Sequence, residues 1–407
     1  MKKAIFIFCI LPFLILSLLY AHQTEDKDLI ALVGGTLIDG MGNHPLLDSV
    51  VLISGSKIRA VGAKNSLKIP KDAKAIDVSG KWILPGFIDC HTHITYDDNY
   101  GNHSLAAFRG LRILRKYLKA GVTTVRDVGG PIEPLRTLKS SFIMGFDASR
   151  LYACGQLITA TGSYNDIPPF SRPSDGPWDF RKAVREMFQA GFHAVKISPW
   201  YTREEIRAAV EEAKAQGMIV VCHSGGTSDT VPPTMTRIAV EEGVDCIEHL
   251  SEMEDEVLDI MAKKGIYNVP TLLIMKKLYE ANMVSRFLVE ERGWSTAMHE
   301  ELFKKARARD IVMGVGTDFI WKFMELYPGG FFDEMRYYLE LGASPMEVLV
   351  CATKNGALIL GKEDKLGTIE TGKIADIQVL DSNPLESFDG LGHPEIVMLG
   401  GKVYRNK

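Results

Sequence analysis

The sequence predicts an α/β protein: a (β/α)8 TIM barrel with a small β-sandwich domain formed by both chain termini. Two observations lead to this prediction. Over about 280 residues in the middle of the chain, short apolar strands alternate with helical stretches, and eight such repeats are the rhythm of a (β/α)8 barrel. Both ends of the chain instead carry short β segments separated by turns.

The two ends are predicted to be the two parts of one sandwich, residues 22–82 and 366–407. Glycines separate the β segments of the first part, as is typical of strands joined by tight turns. The strands predicted for the sandwich are Ile30–Val33, Ser49–Ile53, Ile58–Val61 and Ala75–Asp77, followed near the C-terminus by Ile396–Met398 and Lys402–Tyr404.

The barrel is predicted over residues 83–365. Its strands are Phe87–Cys90, Thr123–Val125, Leu151–Cys154, Ala194–Ile197, Ile219–Cys222, Cys246–Glu248, Tyr267–Val269 and Met313–Gly316. Helices separate them, among them Leu105–Ala120, Phe180–Ala190, Arg203–Gln216, Thr234–Glu242, Glu254–Lys264 and Pro345–Leu360. A doubly wound open sheet is the alternative, because periodicity alone does not prove that the sheet closes.

The first residues predict export. Lys2 and Lys3 precede a nearly unbroken apolar run, Ala4–Leu19, and Ala21 offers a small residue before a polar stretch. This is the pattern of a secretory signal peptide, predicted over residues 1–21, with the protein periplasmic or secreted. The apolar run is slightly long, so an uncleaved membrane anchor is the alternative.

The composition of the 407-residue chain is that of an ordinary globular protein. Hydrophobic residues make up 46% and charged residues 24%, and the formal charge is −4, so nothing points to a nucleic-acid partner. There are six cysteines. Without Cys9 of the signal, five are left, an odd number without framework spacing, and they are predicted to be core residues rather than disulfides.

Two histidines mark the candidate site. His91 and His93 end the first predicted barrel strand, and residues two apart on a strand point to the same side. Two imidazoles held together form half of a zinc or transition-metal site. A His-x-His pair alone is more often an ordinary strand end. Whether it belongs to a metal site therefore depends on the polar residues at the other strand ends.

Further polar residues end other barrel strands. His223 follows the fifth strand, His249 the sixth and Asp318 the eighth, and catalytic residues of such barrels lie at these C-terminal strand ends. By alternation, Lys196 in the fourth strand faces opposite to its apolar neighbours and is predicted to face the barrel interior. Each residue alone has an ordinary structural explanation, but together they predict one site.

With these residues, the chain resembles the amidohydrolase superfamily, in the branch of Xaa-Pro dipeptidases and imidazolonepropionase. The resemblance covers nearly all of the chain after the signal. It rests on the six residues above and on three stretches typical of the superfamily: Gly86–His93, Gly121–Asp127 and Gly372–Asp376. It implies a (β/α)8 barrel with a sandwich from both termini, in agreement with the strand pattern.

The resemblance implies a site for two divalent metals, usually Zn²⁺. His91, His93 and Asp318 would bind one metal, His223 and His249 the other, and Lys196, carboxylated by CO2 to a carbamate, would bridge them. An unmodified ammonium would be repelled by the cations, whereas a carbamate supplies a negative charge. If Lys196 is unmodified, a single-metal site of His91, His93, His223 and Asp318 is the alternative.

The implied reaction is the hydrolysis of an amide or peptide bond of a small, dipeptide-like substrate. A hydroxide bridging the metals would attack the carbonyl, with Asp318 as general base and then acid. Cyclic amide hydrolysis and single-metal deamination are alternatives within the superfamily, and a catalytically silent binding protein is one outside it. A homo-oligomer stays open.

The sequence also offers candidates for substrate contacts. After the third strand, where the relatives usually carry Thr-Gly-Gly-His, this chain has Tyr164 in place of the histidine. Tyr164, Arg126, Tyr201 and His103 are candidates to hold a substrate carboxylate or carbonyl, with an ordinary structural role as the alternative for each.

Overall fold

The computed structural model describes residues 29–96, 102–163, 165–225 and 232–405. The predicted signal peptide, residues 1–21, and the substrate candidate Tyr164 lie outside these residues. No helix among them is long and apolar enough to cross a membrane. The five cysteines in this part of the chain are free, and four of them are buried, as the sequence predicts.

The described residues contain strands of three to nine residues. In chain order these are β1 Leu29–Leu37, β2 Leu46–Ser54, β3 Lys57–Ala63, β4 Lys74–Asp77, β5 Trp82–Pro85, β6 Phe87–Thr92, β7 Val122–Asp127, β8 Arg150–Ala153, β9 Leu157–Thr159, β10 Ser171–Pro173, β11 Ala194–Ile197, β12 Ile219–His223, β13 Cys246–Glu248, β14 Tyr267–Val269, β15 Ile377–Leu380, β16 Ile396–Leu399 and β17 Lys402–Arg405.

Helices alternate with the strands of the middle region. They are α1 His103–Lys119, α2 Ile132–Ile143, α3 Gly176–Gln189, α4 Arg203–Ala215, α5 Thr234–Glu242, α6 Asp255–Lys264, α7 Leu272–Glu280, α8 Arg286–Glu291, α9 Thr296–Arg307, α10 Gly329–Glu340, α11 Pro345–Val350 and α12 Gly356–Ile359, with a 3₁₀ helix at Trp321–Leu326 and a π-helical turn at Cys351–Asn355.

Both ends of the described chain contribute to one mixed sheet. Its order is β17-β16-β15-β5-β1-β2-β3, with β4 beside β1. The N-terminal and C-terminal strands meet where β15 pairs antiparallel with β5. The pairing gives a single sheet over its own apolar core, so the second layer of a sandwich stays a prediction. The chain leaves this sheet at Pro85 and enters the middle region at Phe87.

The middle region is TIM-barrel-like. Its strands form two parallel sheets, one of order β10-β9-β11-β12-β13-β14 and one of order β6-β7-β8. Pairing through all eight predicted strands as one closed ring is not detected among the described residues. The largest apolar core of the described chain packs around these two sheets and includes residues of the surrounding helices.

The eighth predicted strand, Met313–Gly316, is wrong as a regular strand. Met313 forms only an isolated bridge with Asn268. Side chains take the carbonyls that a ladder would use, since Asn355 Nδ2 donates to Met313 O (2.9 Å) and Tyr338 Oη to Gly314 O (2.9 Å). The segment still follows the edge of β6, because Cys90 N donates to Val315 O (2.8 Å).

Six predicted helices are present with ends within a few residues of the prediction, except that Pro345–Leu360 is divided. The π-helical turn interrupts it where Thr353 Oγ1 donates back to Leu349 O (2.6 Å). Just beyond, the Cα of Gly356 packs against Ile88, which a Cβ would approach to 2.8 Å. A close contact with β6 therefore accompanies the wider turn.

An ion pair joins the terminal sheet to the middle region. Arg150 on β8 donates to Asp376, next to β15, with an Nη1–Oδ2 distance of 2.5 Å, and both side chains are nearly buried. Asp376 also accepts from the backbone N of Gly400 (2.8 Å). Removing Asp376 would take the paired carboxylate away from the nearly buried guanidinium of Arg150.

We expect Asp376→Ala to lower the free energy of unfolding by about 3 kcal/mol, the cost typical of breaking a buried ion pair. Glu133→Ala is the control, because Glu133 pairs with Arg136 at the surface and its loss should cost at most about 1 kcal/mol. Denaturant unfolding of the two variants measures the difference. Equal losses would contradict the prediction.

Candidate metal centre

Parallel strands bring the six predicted site residues to one end of the middle region. His91 lies in β6 and His93 just after it, Lys196 lies in β11 and His223 ends β12. The other two, His249 and Asp318, follow β13 and the 313–316 segment. Because the carboxyl ends of parallel strands meet at one edge, short strands here place residues that are far apart in sequence around one centre.

Three of these residues form a compact group of metal ligand type. Asp318 Oδ1 lies 3.2 Å from His91 Nε2 and 3.2 Å from His93 Nε2. All three side chains are buried, and their candidate ligand atoms lie within 4.8 Å of one another. Two imidazoles and a carboxylate are ligands that suit zinc and other divalent metals.

The second pair lies beside the first group. His223 Nδ1 is 3.0 Å from His249 Nε2, and the His249 ring centroid is 5.0 Å from that of His91. Lys196 is buried and lines the same cavity as both histidines. Its Nζ has no hydrogen-bond partner within the described part of the chain, which is costly for a buried ammonium.

In three of the histidines, Nδ1, the ring nitrogen that faces away from the centre, contacts another group of the protein. His93 Nδ1 lies 2.9 Å from Gly129 O, and His249 Nδ1 lies 2.6 Å from Thr271 Oγ1. His91 Nδ1 contacts Glu248 Oε2. These contacts orient each ring with Nε2 toward the centre, the arrangement usual for histidines that bind metals.

Glu248 is a residue that the sequence analysis missed. It ends β13, is fully buried, and accepts from Arg126 Nη2 (2.6 Å) as well as contacting His91. Arg126 Nε also donates to the carbonyl oxygen of Cys90. The only sequence signal was the charge of Glu248 inside an apolar strand, because its partners are more than a hundred residues away.

Charges within the site offset the cost of burial. Burial alone would raise the pKa of Asp318, but the hydrogen bonds and charges of His91 and His93 hold it well below its usual range. Burial likewise opposes ionisation of Glu248, and Arg126 and His91 hold its pKa low. Burial lowers the pKa of Lys196, although Glu248 and Asp318 oppose the shift.

The backbone is strained at two ligands and at one supporting residue. His249, Thr271 and Asp318 have φ angles of 68°, 50° and 51°. Non-glycine residues seldom adopt this left-handed region, and such strain is found at functional sites when the surrounding structure compensates for it. Here the Thr271 hydroxyl, close to His249 Nδ1, is part of that compensation.

A cavity of about 150 Å³ opens beside the site. His93, Lys196, His223, His249 and Asp318 line its polar end, and most of the other described lining residues are apolar. The cavity therefore combines the ligand-type side chains with room for a small molecule.

Three predicted substrate contacts do not lie in this cavity. Arg126 is buried below it and paired with Glu248. Tyr201 is buried and its Oη donates to Met235 O (2.9 Å). His103 is exposed at the start of α1 and lines a separate groove between α1 and α2. Arg126 and Tyr201 stand at or just after predicted strands, and that position gave no information on depth, which long-range packing decides.

The donor set fits divalent metals. His91, His93 and Asp318 could hold one ion, and His223 Nδ1 with His249 Nε2 could hold a second. The unpartnered Nζ of Lys196 lies on the same cavity, where a carbamate would give it oxygen ligands in place of an isolated charge.

Comparison with known proteins gives consistent results. A model of the amidohydrolase family matches residues 82–404. Ochratoxinase from Aspergillus niger is 26% identical over 94% of this chain and 88% of its own length. Imidazolonepropionase from Alkaliphilus metalliredigens is 24% identical over 89% of this chain and 92% of its own. A Xaa-Pro dipeptidase crystallised with bound methionine superposes with a TM-score of 0.82, at 26% identity, covering 93% of this chain and all of that one.

We expect Glu248→Gln to weaken the binding of a divalent metal by about ten- to a hundredfold, because a neutral amide no longer orients His91. Chelator competition with Zn²⁺ measures the affinity.

Glu212→Gln is the matched control for this variant. Glu212 is also buried and paired with an arginine, Arg185, at 2.8 Å, but on α4 away from the site. It should lower stability and leave metal affinity unchanged. Unaltered affinity in Glu248→Gln would contradict the role given to that carboxylate.

Proposed function

Because this chain belongs to the amidohydrolase family and is therefore a hydrolase of carbon–nitrogen bonds, we propose that it cleaves an amide or peptide bond at a two-metal site. The observation that carries the proposal is the convergence of His91, His93 and Asp318 beside His223, His249 and an unpartnered, buried Lys196. The proposed metals are Zn²⁺, with Lys196 carboxylated between them.

Metals bound here would polarise the substrate carbonyl and lower the pKa of a water molecule. Asp318 takes up the proton released as this water attacks and delivers it to the leaving nitrogen, as general base and then general acid. Its carboxylate is held by His91 and His93 on one side and faces the cavity on the other. The apolar cavity walls limit the access of bulk water.

We also propose that the two parallel sheets are parts of one (β/α)8 barrel and that the terminal sheet belongs to a sandwich. The backbone bonds of the 313–318 segment support closure, since Gly314 N donates to Asn268 O and Asp318 N to His91 O. On the other flank, β8 pairs with β7 in one sheet. The next strand in the chain, β9, pairs with β11 in the other sheet.

Export by a signal peptide over residues 1–21 is likewise a proposal, and the charged and apolar pattern of those residues supports it. N-terminal sequencing of the mature protein tests it.

Metal analysis of the wild-type protein and of Lys196→Ala tests the two-metal proposal. We expect nearly two divalent ions per wild-type chain, fewer in the variant, and at least about a hundredfold loss of amide hydrolysis, because a bridging ligand is removed. A panel of dipeptides, N-acyl amides and cyclic amides is the assay. One metal with retained amide hydrolysis in Lys196→Ala would contradict the bridging role of Lys196 and favour the single-metal site.

Asp318→Asn separates proton transfer from folding. It keeps the size of the side chain but cannot accept the proton, so we expect kcat to fall by about a hundredfold or more with little change in thermal stability. Steady-state kinetics at fixed metal loading measures the loss. A kcat near that of the wild-type protein would contradict the role of Asp318 as base.

A further inference from the structure

The cavity beside the ligand group has two apolar walls. Tyr96, Leu157 and Phe170 form a buried cluster, and Ile320 packs against it. The Phe170 ring lies 5.3 Å from the ring of His93, so this wall begins directly at the candidate ligands. The second wall consists of residues on α7, Met275 and Leu278, which belong to a different apolar cluster.

Charged groups of the described cavity lining are confined to its polar end. There, Lys196 is the one lysine or arginine among the described lining residues, and it lies with the histidines and Asp318. Asn165, the polar residue on the walls, has its Nδ2 engaged with Ser198 Oγ at 2.6 Å. The predicted carboxylate contacts Arg126, Tyr201 and His103 lie elsewhere.

We propose that the substrate is an uncharged amide that carries an apolar group of about the size of a benzene ring next to the scissile bond and no free carboxylate. The inference rests on the proposed amide hydrolysis and names its substrate class. The cavity of about 150 Å³, whose described walls are mostly apolar, has room for such a group. A carboxylate against the described walls would lose its hydration without gaining a cation there, because the lysine of the lining lies at the polar end.

Metals held by the ligand group would attract anions, but they would not remove this cost for a group on the walls. A substrate whose amide carbonyl lay at the ligand group would direct its other substituents along the walls. A carboxylate in one of those positions is separated from the cations by the amide itself. A dipeptide with a free carboxylate therefore fits this cavity less well than the same amide without that carboxylate.

Matched substrate pairs test the proposal on the metal-loaded enzyme. N-benzoylpyrrolidine differs from N-benzoylproline only by the absent carboxylate, and N-isobutylbenzamide is the apolar counterpart of N-benzoylglycine. We expect kcat/KM to be at least about tenfold higher for the uncharged member of each pair. Equal values, or a preference for the carboxylates, would overturn the proposal.

A charge introduced into the wall provides a second test. Ile320→Lys should reduce the preference for the uncharged substrates by about tenfold, because the ammonium can pair with a carboxylate. Ile320→Met is the matched control and should keep the wild-type preference. An unchanged preference in a folded Ile320→Lys protein would count against the proposal.

Binding separates this proposal from the proposed function. If metal-loaded protein cleaves neither member of either pair nor any other amide, the proposed hydrolysis fails. Calorimetric titration with the same pairs then measures binding alone, and it still tests whether the cavity prefers the uncharged member. Tighter binding of the uncharged members would support it, and equal or tighter binding of the carboxylates would overturn it.

Discussion

The buried contact of Glu248 with Arg126 and His91 is the constraint on which the site depends. Glu248 carries a negative charge in the interior of the middle region, which is unfavourable without compensation. Arg126 supplies the compensating cation, and His91 uses the remaining carboxylate oxygen. The charge that makes Arg126 tolerable in the core thus also fixes the orientation of a candidate metal ligand.

The same principle extends to the other ligands with different partners. His93 is held by a backbone carbonyl and His249 by a hydroxyl whose own residue has a left-handed backbone. None of these contacting groups has a role in the proposed reaction itself. Each fixes the direction of one ring, so the Nε2 atoms converge before any metal binds, and little ordering is left to occur on binding.

Much of the site could be predicted from the sequence because strand ends carry positional information. Alternation along a strand indicates which side a residue faces, and parallel strands bring their ends together, so His91, His93 and Lys196 could be placed in one region. The eighth strand was harder to predict from the sequence. Side chains of distant helices donate hydrogen bonds to the carbonyl oxygens of Met313 and Gly314, and local sequence does not show these contacts.

The local sequence pattern did not indicate whether a polar side chain near a strand end faces the cavity or is buried beneath it. Arg126 and Tyr201 are close in sequence to strand ends, as substrate-binding residues of such barrels are, yet one pairs with Glu248 and the other with a backbone carbonyl. A polar side chain near a strand end can face the cavity or lie beneath it. Its partners on other elements decide, and no spacing along the chain encodes them.

The ligand group and most of the cavity walls come from different parts of the fold. This explains why similarity to known proteins indicates the chemistry of the site but says much less about its substrate. The ligand group belongs to strand ends whose geometry is fixed by hydrogen bonds. The walls come from α7, from the start of β9 and from loop residues such as Ile320. Relatives with names as different as ochratoxinase, imidazolonepropionase and Xaa-Pro dipeptidase match nearly the whole chain. Because a few wall side chains can change without disturbing the hydrogen bonds of the ligand group, charge and size along the walls are the features that distinguish one amide from another.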